Sequence, residues 1–416
     1  MTASSDNYPK VLIRPVQYRD LDWLEGITTE TNQTAPNSVS FAEQLQQTKR
    51  WFGVLKFLSW FPNSLRDHFR VYVAESPQQS DPRLKRLKGF IHISPFNMGR
   101  STWRVEKVMV ACDQGQPELL TNPKGVGSQL LRYCLEAVWE ARTWVLEVNI
   151  NEKNTLALYR QNGFQPLAQL TYWLLEPTLL QTLAQQNSEL PNLLPVSNAD
   201  AQLLYQLDCV SMPPLLRQVF DRNSQDFKTH FLMGLCSKWQ QWLNQTEVAQ
   251  GYVFEPQRKA AIGYFKLTLS KNGSQPHQAQ LIVHPAYTWL YPKLLAQMAQ
   301  IVQKFPSQGL ELISADYQHE REEYLEKLGA SPIENTLLMS RSVWHKLKEA
   351  KLEGLHLSDM LQGLQAVPRT PIPTRFSWVK EPINLSEKNQ IDSQKYHHQD
   401  NNNSFKSSEK IDKGSK

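Results

Sequence analysis

The chain has few cysteines and no long apolar run, and these two absences narrow the classes of protein to which it can belong. The cysteines form no CxxC pair and no His/Cys spacing typical of a metal site, so no metal is predicted. They are Cys112, Cys134, Cys209 and Cys236, and such isolated thiols suit a reducing compartment. No stretch reaches the roughly 18 apolar residues of a membrane-spanning helix, and residues 1–10 lack the apolar run of a signal peptide. We therefore expect a cytoplasmic protein without a membrane span.

Charge of one sign is not concentrated anywhere along the chain. The 45 Lys+Arg and 40 Asp+Glu give a net charge of +5 without a long block of either sign. Nucleic-acid-binding proteins present a clustered basic face, so no nucleic-acid partner is predicted. The 40% hydrophobic and 20% charged residues are typical of a globular protein, and 416 residues predict two or three domains.

The most informative stretch runs from residue 102 to residue 175. Its pattern predicts a strand at 102–112, a helix at 127–142, a strand at 144–150, a helix at 154–162, and two short strands at 164–170 and 172–175. Gly125 precedes the first helix, and Gly127 is its first residue. Glycine lets backbone approach a ligand closely, and a helix N-terminus offers unpaired N–H groups and the positive end of the dipole. The loop predicts an anion site, with an ordinary glycine turn as the alternative.

The second half of the chain repeats the first. A shift of 166 positions sets residues 146–150 against 312–316, and 162–164 against 328–330. Repetition at this period indicates a duplicated domain. The predicted divisions are a first domain at 10–176, a linker at 177–190, a second domain at 191–345 and an extension at 346–416. The extension is expected to be largely disordered after about residue 385, because its composition cannot bury enough apolar surface.

In their order along the chain, the strand, glycine loop, helix, strand, Asn154, Tyr159 and Gly163-Phe164 resemble a GCN5-related N-acetyltransferase domain. Residues 191–345 resemble a second, divergent copy. The resemblance implies an α+β fold of two tandem domains, each a mixed, mostly antiparallel twisted sheet flanked by helices. It also implies acetyl-CoA or another acyl-CoA as co-substrate and an amine acceptor, either a small molecule or a protein amine.

The resemblance also implies which residues hold coenzyme A. The family motif Q/R-x-x-G-x-G/A matches Asn122, Gly125 and Gly127, with a shorter side chain at its first position. The residues implied to bind the cofactor are Val108, Val110, Asn122, Lys124, Gly125, Val126, Gly127, Ser128 and Asn154. Two alternatives stay open: a simple buried strand fits the valines equally well, and asparagine at position 154 is also a good helix cap.

Two residues are candidates for the chemistry. The resemblance assigns Tyr159 as the acid that protonates the departing thiolate, and a phenol can donate to sulfur as C–S cleavage builds negative charge. A helix tyrosine before a Gly-Phe turn can also be a packing residue. Glu106 lies in the strand expected to border the acceptor cleft, which makes it a candidate base, directly or through water. The alternative for Glu106 is a solvated strand carboxylate.

The second copy is predicted to be non-catalytic. Residues 284–291, which follow the strand corresponding to 102–112, contain no glycine. Bulky side chains there would keep backbone amides away from a pyrophosphate. The leading hypothesis is an N-acyltransferase that works by direct attack of an amine on the thioester, with a non-catalytic acyl-CoA-sensing or partner-docking protein as the alternative. The oligomeric state stays open, and a monomer is compatible with the duplication.

Overall fold

The computed structural model describes residues 11–24, 26, 70–76, 87–111, 125–186, 188–228 and 245–343. Its strands are β1 (Leu12–Pro15), β2 (Arg70–Glu75), β3 (Leu87–Pro95), β4 (Thr102–Val110), β5 (Thr143–Asn149), β6 (Gln165–Leu175), β7 (Leu193–Pro195), β8 (Thr246–Glu255), β9 (Ala260–Ser270), β10 (His277–Val283), β11 (Leu310–Ala315) and β12 (Ser331–Ser342). Its α-helices with described bounds are α1 (Val126–Ala137), α2 (Lys153–Gln161), α3 (Pro177–Ala184), α4 (Ala201–Ser211), α5 (Pro214–Phe220), α6 (Leu290–Val302) and α7 (His319–Leu328). None of these helices is long and apolar enough to cross a bilayer.

The strands form one 12-stranded sheet in the order β1-β2-β3-β4-β5-β12-β6-β11-β10-β9-β8-β7. Neighbouring strands are antiparallel except at β4 with β5 and at β10 with β11. Helices pack on this mixed, mostly antiparallel sheet, so the predicted α+β class is confirmed. The two parallel pairs occupy equivalent places in the two halves of the chain.

The last strand of each half is inserted into the other half. Strand β12 pairs with β5 and β6, while β6 pairs with β12 and β11. The two halves therefore share a continuous hydrogen-bonded sheet. Part of the predicted linker is helix α3, whose Leu180 and Leu183 are buried in one core with Leu294 of α6. The domain limits themselves stay a prediction.

The extent of strand β6 differs from the sequence prediction. Residues 164–170 and 172–175 were predicted as separate short strands, but Gln165–Leu175 is a single strand. It is held on both sides, by β12 through most of its length and by β11 from Leu170 to Leu175. Backbone hydrogen bonds on both edges keep the strand continuous where the local pattern predicts a break. Long-range pairing therefore overrides the local signal.

A glycine in each half brings a helix close to the sheet. A Cβ on Gly89 of β3 would lie 2.7 Å from the Met109 carbonyl oxygen and 3.3 Å from a methyl of Val126. A Cβ on Gly263 of β9 would lie 3.2 Å from Leu290. The missing side chains let the first turns of α1 and α6 approach the strands, which positions the loop before each helix.

Asn97 joins the turn between β3 and β4 to the second half. Its side chain is buried, with Nδ2 donating to the carbonyls of Phe220 (3.3 Å) and Asp221 (2.7 Å). Its Oδ1 accepts from the backbone N–H of Thr102 at 3.2 Å. Both halves therefore contribute backbone groups to one buried amide.

Asn97→Ala is expected to lower the free energy of unfolding by about 2–3 kcal/mol, because buried backbone groups lose their partners. Urea denaturation monitored by circular dichroism measures this change. The matched control is Asn151→Ala, which removes an exposed asparagine and should cost less than about 0.5 kcal/mol. Equal losses for the two variants would contradict a structural role for Asn97.

Candidate active site

Strands β4 and β5 separate partway along their length. They pair in parallel from Thr102 with Thr143 to Val105 with Leu146, and the pairing stops there. At this point β4 has a bulge at Glu106, since the register against β3 shifts between Val105 and the next paired residue. A bulge bends the strand that carries it. The result is a gap between β4 and β5 in the second part of β4.

The backbone of Val108 and Val110 is directed into this gap. Strand β4 stays paired with β3, and the N–H of Ala111 donates to the Lys88 carbonyl at 2.8 Å. Antiparallel ladder bonds alternate along a strand, so the peptide groups one and three residues before Ala111 point to the opposite side, away from β3. Both predicted contacts thus lie on the strand edge where β5 has separated. The role of each valine stays a prediction.

The N-terminus of α1 lies at the end of β4. Gly125 is the N-cap, and the helical ladder begins with Gln129 N–H donating to its carbonyl at 3.0 Å. The N–H groups of Val126, Gly127 and Ser128 therefore precede the first intrahelical hydrogen bond, where anions are favoured. The other two predicted loop contacts, Asn122 and Lys124, lie outside the described residues.

Gly127 is also required by packing. A Cβ at this position would lie 3.2 and 3.3 Å from the two terminal methyl groups of Leu158 in α2. The glycine lets α1 and α2 pack closely at the point where α1 begins. Ser128 is fully buried, and its Oγ accepts a hydrogen bond from Asn162 Nδ2 at 3.0 Å. The Ser128 hydroxyl therefore joins the first turn of α1 to the end of α2.

Helix α2 ends in a Schellman motif built from the Tyr159 to Phe164 segment. Phe164 N–H donates to the Tyr159 carbonyl, Gly163 N–H donates to the Arg160 carbonyl, and Gly163 has a φ of 80°. In this motif the residues flanking the turn pack together, and the rings of Tyr159 and Phe164 meet edge-on at 5.9 Å. The turn therefore explains why tyrosine, glycine and phenylalanine occur at this spacing.

Tyr159 remains a neutral phenol at physiological pH. It is 4% exposed, and its burial, with the nearby Glu152 charge, raises its pKa above the ordinary value. Among the residues that the structure describes, none forms a hydrogen bond with the Tyr159 hydroxyl. The phenol is thus protonated, as a general acid must be before it donates.

The remaining predicted residues, Asn154 and Glu106, are exposed. Asn154 lies in the first turn of α2, but Glu152 is the N-cap of that helix, so the capping alternative for Asn154 is wrong. Glu106 lies at the bulge of β4. Its carboxylate accepts a hydrogen bond from Ser94 Oγ at 2.6 Å and lies 3.4 Å from Arg104 Nε. Glu106 thus lies where β4 and β5 separate, and Asn154 lies in the first turn of the helix that follows β5.

Sequence reasoning did not single out Lys107 and Glu152, whose charges influence this region. Burial lowers the pKa of Lys107, which follows the bulge, and the Glu152 carboxylate acts in the opposite direction. The same carboxylate influences Tyr159, so Glu152 lies near both groups. No motif marks either residue in the sequence, because their proximity depends on the separation of β4 from β5.

His92 faces Lys107 across the β3–β4 pair and carries a pH prediction. Burial lowers its pKa from 6.5 to about 4, so between these values the unfolded chain binds more protons. The free energy of unfolding is expected to fall as the pH drops through this range, by up to about 3 kcal/mol. Urea denaturation of the wild type and His92→Leu across the range isolates this effect from carboxylate titrations. Parallel pH profiles for the two proteins would contradict the prediction.

In the second half, an arginine fills the gap that corresponds to the one between β4 and β5. Strands β10 and β11 pair only as far as Ala279 with Leu312. Beyond that point Arg321 of α7, 3% exposed, donates to the carbonyls of Leu281 (2.6 Å) and Ile313 (3.0 Å). Its guanidinium therefore bridges the separated strands.

The backbone positions of the two gaps, one between β10 and β11 and one between β4 and β5, correspond to each other. Leu281 lies two residues before Val283, which is opposite Gly263, and Val108 lies two residues before Val110, which is opposite Gly89. The carbonyl that accepts from the guanidinium is therefore the counterpart of the Val108 carbonyl. The Arg321 side chain therefore lies, in the second half, at the place that corresponds to the Val108 carbonyl in the first half.

The glycine turn is also replaced in the second half. When Val126 is set against Leu290 at the start of each helix, Tyr291 takes the position of Gly127. The ring of Tyr291 stacks on Tyr324 at 6.4 Å, and Tyr324 is the counterpart of Leu158 at the shift of 166. Where a glycine allows close helix packing in the first half, two tyrosines fill the space.

A side chain also occupies a backbone N–H group in the turn before α6. Nδ1 of His284 accepts a hydrogen bond from the N–H of Ala286 at 3.1 Å. Leu325 takes the place of Tyr159, since its carbonyl accepts from the N–H of Ala330 at an equivalent turn. Within the described part of the chain, no cluster of His, Cys, Asp and Glu suits a metal ion.

Comparisons with known proteins agree with this architecture. No protein-family model and no curated protein matches the sequence. A GCN5-related N-acetyltransferase structure from Sphaerobacter thermophilus matches with a TM-score of 0.50 and 10% identity, covering 82% of this chain and 98% of that chain. A tandem protein of the same fold from the clavulanic acid biosynthesis pathway matches with a TM-score of 0.48 and 12% identity, covering 81% of this chain and 100% of that chain.

The match to the Sphaerobacter thermophilus structure extends over both halves of the chain, because it covers 82% of the residues. At 10% identity the likeness concerns the fold. The chain therefore has the fold of the GCN5-related N-acetyltransferases.

Proposed function

We propose that the first half is an acyl-CoA-dependent N-acyltransferase that transfers an acetyl group to an amine. The observation that carries the proposal is the gap between β4 and β5, which ends beside the N-terminus of α1 and is bordered by α2. A Cβ on Gly127, in the first turn of α1, would lie 3.7 Å from a methyl of Val110, and the protonated Tyr159 is buried in one core with Val110. These groups match the three parts of acetyl-CoA: pantetheine amides, pyrophosphate and thioester sulfur.

The residues present fit acetyl-CoA as co-substrate. The backbone N–H groups of Gly125 to Ser128 would hold the pyrophosphate, with the adjacent Lys124 as a cation. The peptide groups of Val108 and Val110 would pair with the pantetheine arm, with Asn154 nearby. Bound acetyl-CoA supplies an activated acyl group as a thioester.

The residues of the chain would contribute orientation and proton transfer. Holding the amine beside the thioester makes the attack effectively intramolecular. Glu106 would take the proton that the amine loses, through water, and Tyr159 would donate its proton to the departing thiolate. The amine gains the acyl group, the C–S bond breaks, and one proton passes to the base while another passes to sulfur.

The second half would serve as a structural partner without a cofactor site of its own. The Arg321 guanidinium occupies the strand gap, and Tyr291 replaces the glycine that begins the helix. Both changes place side chains where a pantetheine arm and a pyrophosphate would lie. This half also supplies β12, which is part of the sheet of the first half.

A second candidate function is a non-catalytic acyl-CoA-sensing or partner-docking protein. One observation favours it: Tyr159 occupies a packing position that leucine occupies in the second half. Packing alone thus explains an aromatic residue there. On this alternative, acetyl-CoA would bind in the same gap and no transfer would follow.

The experiment that separates the two functions measures binding and turnover together. Calorimetry with acetyl-CoA tests the site, and thiol release is then followed with amines, polyamines, peptides and aminoglycosides as acceptors. Release above the rate of hydrolysis with any acceptor supports the enzyme. Binding without release supports the sensor, and absence of binding would contradict both.

A further inference from the structure

The C-terminal end of α2 is held by an arginine from the last strand of the second half. Nη1 of Arg341 in β12 donates to the carbonyl of Asn162, directly after the helix. Within β12 this arginine is opposite Trp144 of β5, which fixes its height along the sheet. The second half thus places a cation at the negative end of the helix that carries Tyr159.

Asn162 extends this contact to the helix that begins at the glycine turn. It is 3% exposed, and its Nδ2 donates both to the Leu158 carbonyl at 2.8 Å and to Ser128 Oγ at 3.0 Å. One side chain therefore ties the end of α2 to the first turn of α1. Arg341, Asn162 and Ser128 form a continuous polar connection from β12 to the start of α1.

The fold does not require this connection. Helix α7 ends in the same turn, with Gly329 at a φ of 85° and Ala330 N–H donating to the Leu325 carbonyl. The counterpart of Arg341 is Leu175, since it lies opposite Leu310 as the arginine lies opposite Trp144. Leucine also replaces Asn162, at position 328. The half that lacks the tyrosine lacks the polar connection too.

The environment of Arg341 is unfavourable to a charge. Burial and the neighbouring Arg132 both lower its pKa. A cation that lies near another cation in a partly desolvated site lowers the stability of the fold. In the other half, the equivalent positions are occupied by apolar residues. Residues whose environment lowers the stability of the fold tend to cluster at functional sites.

We propose that Arg341 is a positioning residue for the acyl-transfer site, supplied by the second half, which sets the orientation of Tyr159 relative to the first turn of α1. This inference rests on the proposed acyltransferase function. Through Asn162 the arginine would fix the rotation of α2 about its axis, and hence the direction of the phenol. A small rotation would move the hydroxyl away from the sulfur without opening the anion site.

A double-mutant cycle with acetyl-CoA and the best acceptor from the amine screen tests this role. Arg341→Met is expected to lower kcat roughly 10-fold and to change the Kd for acetyl-CoA by less than about twofold. Arg341→Lys, which keeps the cation, should recover most of the loss. In a Tyr159→Phe background, Arg341→Met should cause no further loss, because the residue through which it acts is gone.

The matched control is Arg160→Gln, which removes an exposed cation from the last turn of the same helix and should leave kcat unchanged. If Arg341→Met does not fold, Arg341→Gln takes its place in the cycle. Losses that multiply across the cycle, or a fall in kcat that only follows a fall in Tm, would overturn the positioning role. A wild-type protein that transfers acetyl to no acceptor would overturn the proposed function, and this inference with it.

Discussion

Gly127→Tyr is expected to weaken acetyl-CoA binding at least about 100-fold, because two hydrogen bonds to a charged phosphate, worth about 1.5 kcal/mol each, would be lost. A Cβ at this position already lies 3.2 Å from Leu158, so a phenol ring can enter only by displacing Leu158 or the first turn of α1. The second half shows the outcome, since Tyr291 at the counterpart position fills the equivalent space against Tyr324. Isothermal titration calorimetry measures the loss.

Two further variants make this result specific. Gly127→Ala adds only a methyl group against the flexible end of Leu158, so its effect on binding should be intermediate. Tyr291→Gly in the second half should create no new binding, because Arg321 still bridges β10 and β11. Binding by Gly127→Tyr at full stoichiometry and unchanged Kd would locate the site outside the first glycine turn.

Tyr159→Phe is expected to lower kcat about 100-fold while leaving the Kd for acetyl-CoA unchanged. Phenylalanine keeps the edge-on contact with Phe164 and the burial of the ring, so the turn after α2 should persist. Only the proton donor is removed. Steady-state kinetics with an active acceptor, together with calorimetry, separates turnover from binding.

The matched control for this prediction is Tyr324→Phe. Tyr324 is one position from the counterpart of Tyr159 and stacks on Tyr291 in the second half. Loss of its hydroxyl should leave both kcat and Kd unchanged. If Tyr159→Phe turned over at the wild-type rate, Tyr159 would be a packing residue only, as Leu325 is at the equivalent turn.

Local patterns predicted the order of elements and the duplication. Residues 143–149 form a strand and 153–161 a helix, each within one residue of the sequence prediction, because hydrophobic period and turn residues act over short distances. The shift of 166 positions also places Leu325 at the Tyr159 position, which the equivalent turns of α2 and α7 support. The glycine turn before α1 was visible because Gly125 and Gly127 are two residues apart at the start of a predicted helix that follows a strand.

Helix ends and the pairing of distant strands could not be predicted from local sequence patterns. The capping alternative for Asn154 depended on where α2 begins, and helix ends shift by a residue with tertiary context. The exchange of β6 and β12 pairs segments more than 150 residues apart, as in Leu170 with Thr336. No local pattern specifies such a partner, because a strand edge accepts any backbone of suitable register.

The sequence by itself determined the fold class, the repeat and the presence of one glycine turn at the start of one helix. The tertiary structure alone decided that β4 separates from β5 at the Glu106 bulge, that Arg321 fills the equivalent gap, and that Arg341 reaches α2 from the other half. Each of these depends on contacts between residues distant in the chain. The hydrophobic periodicity of an element indicates which of its faces is buried. The element that packs against that face is determined only when the whole sheet forms.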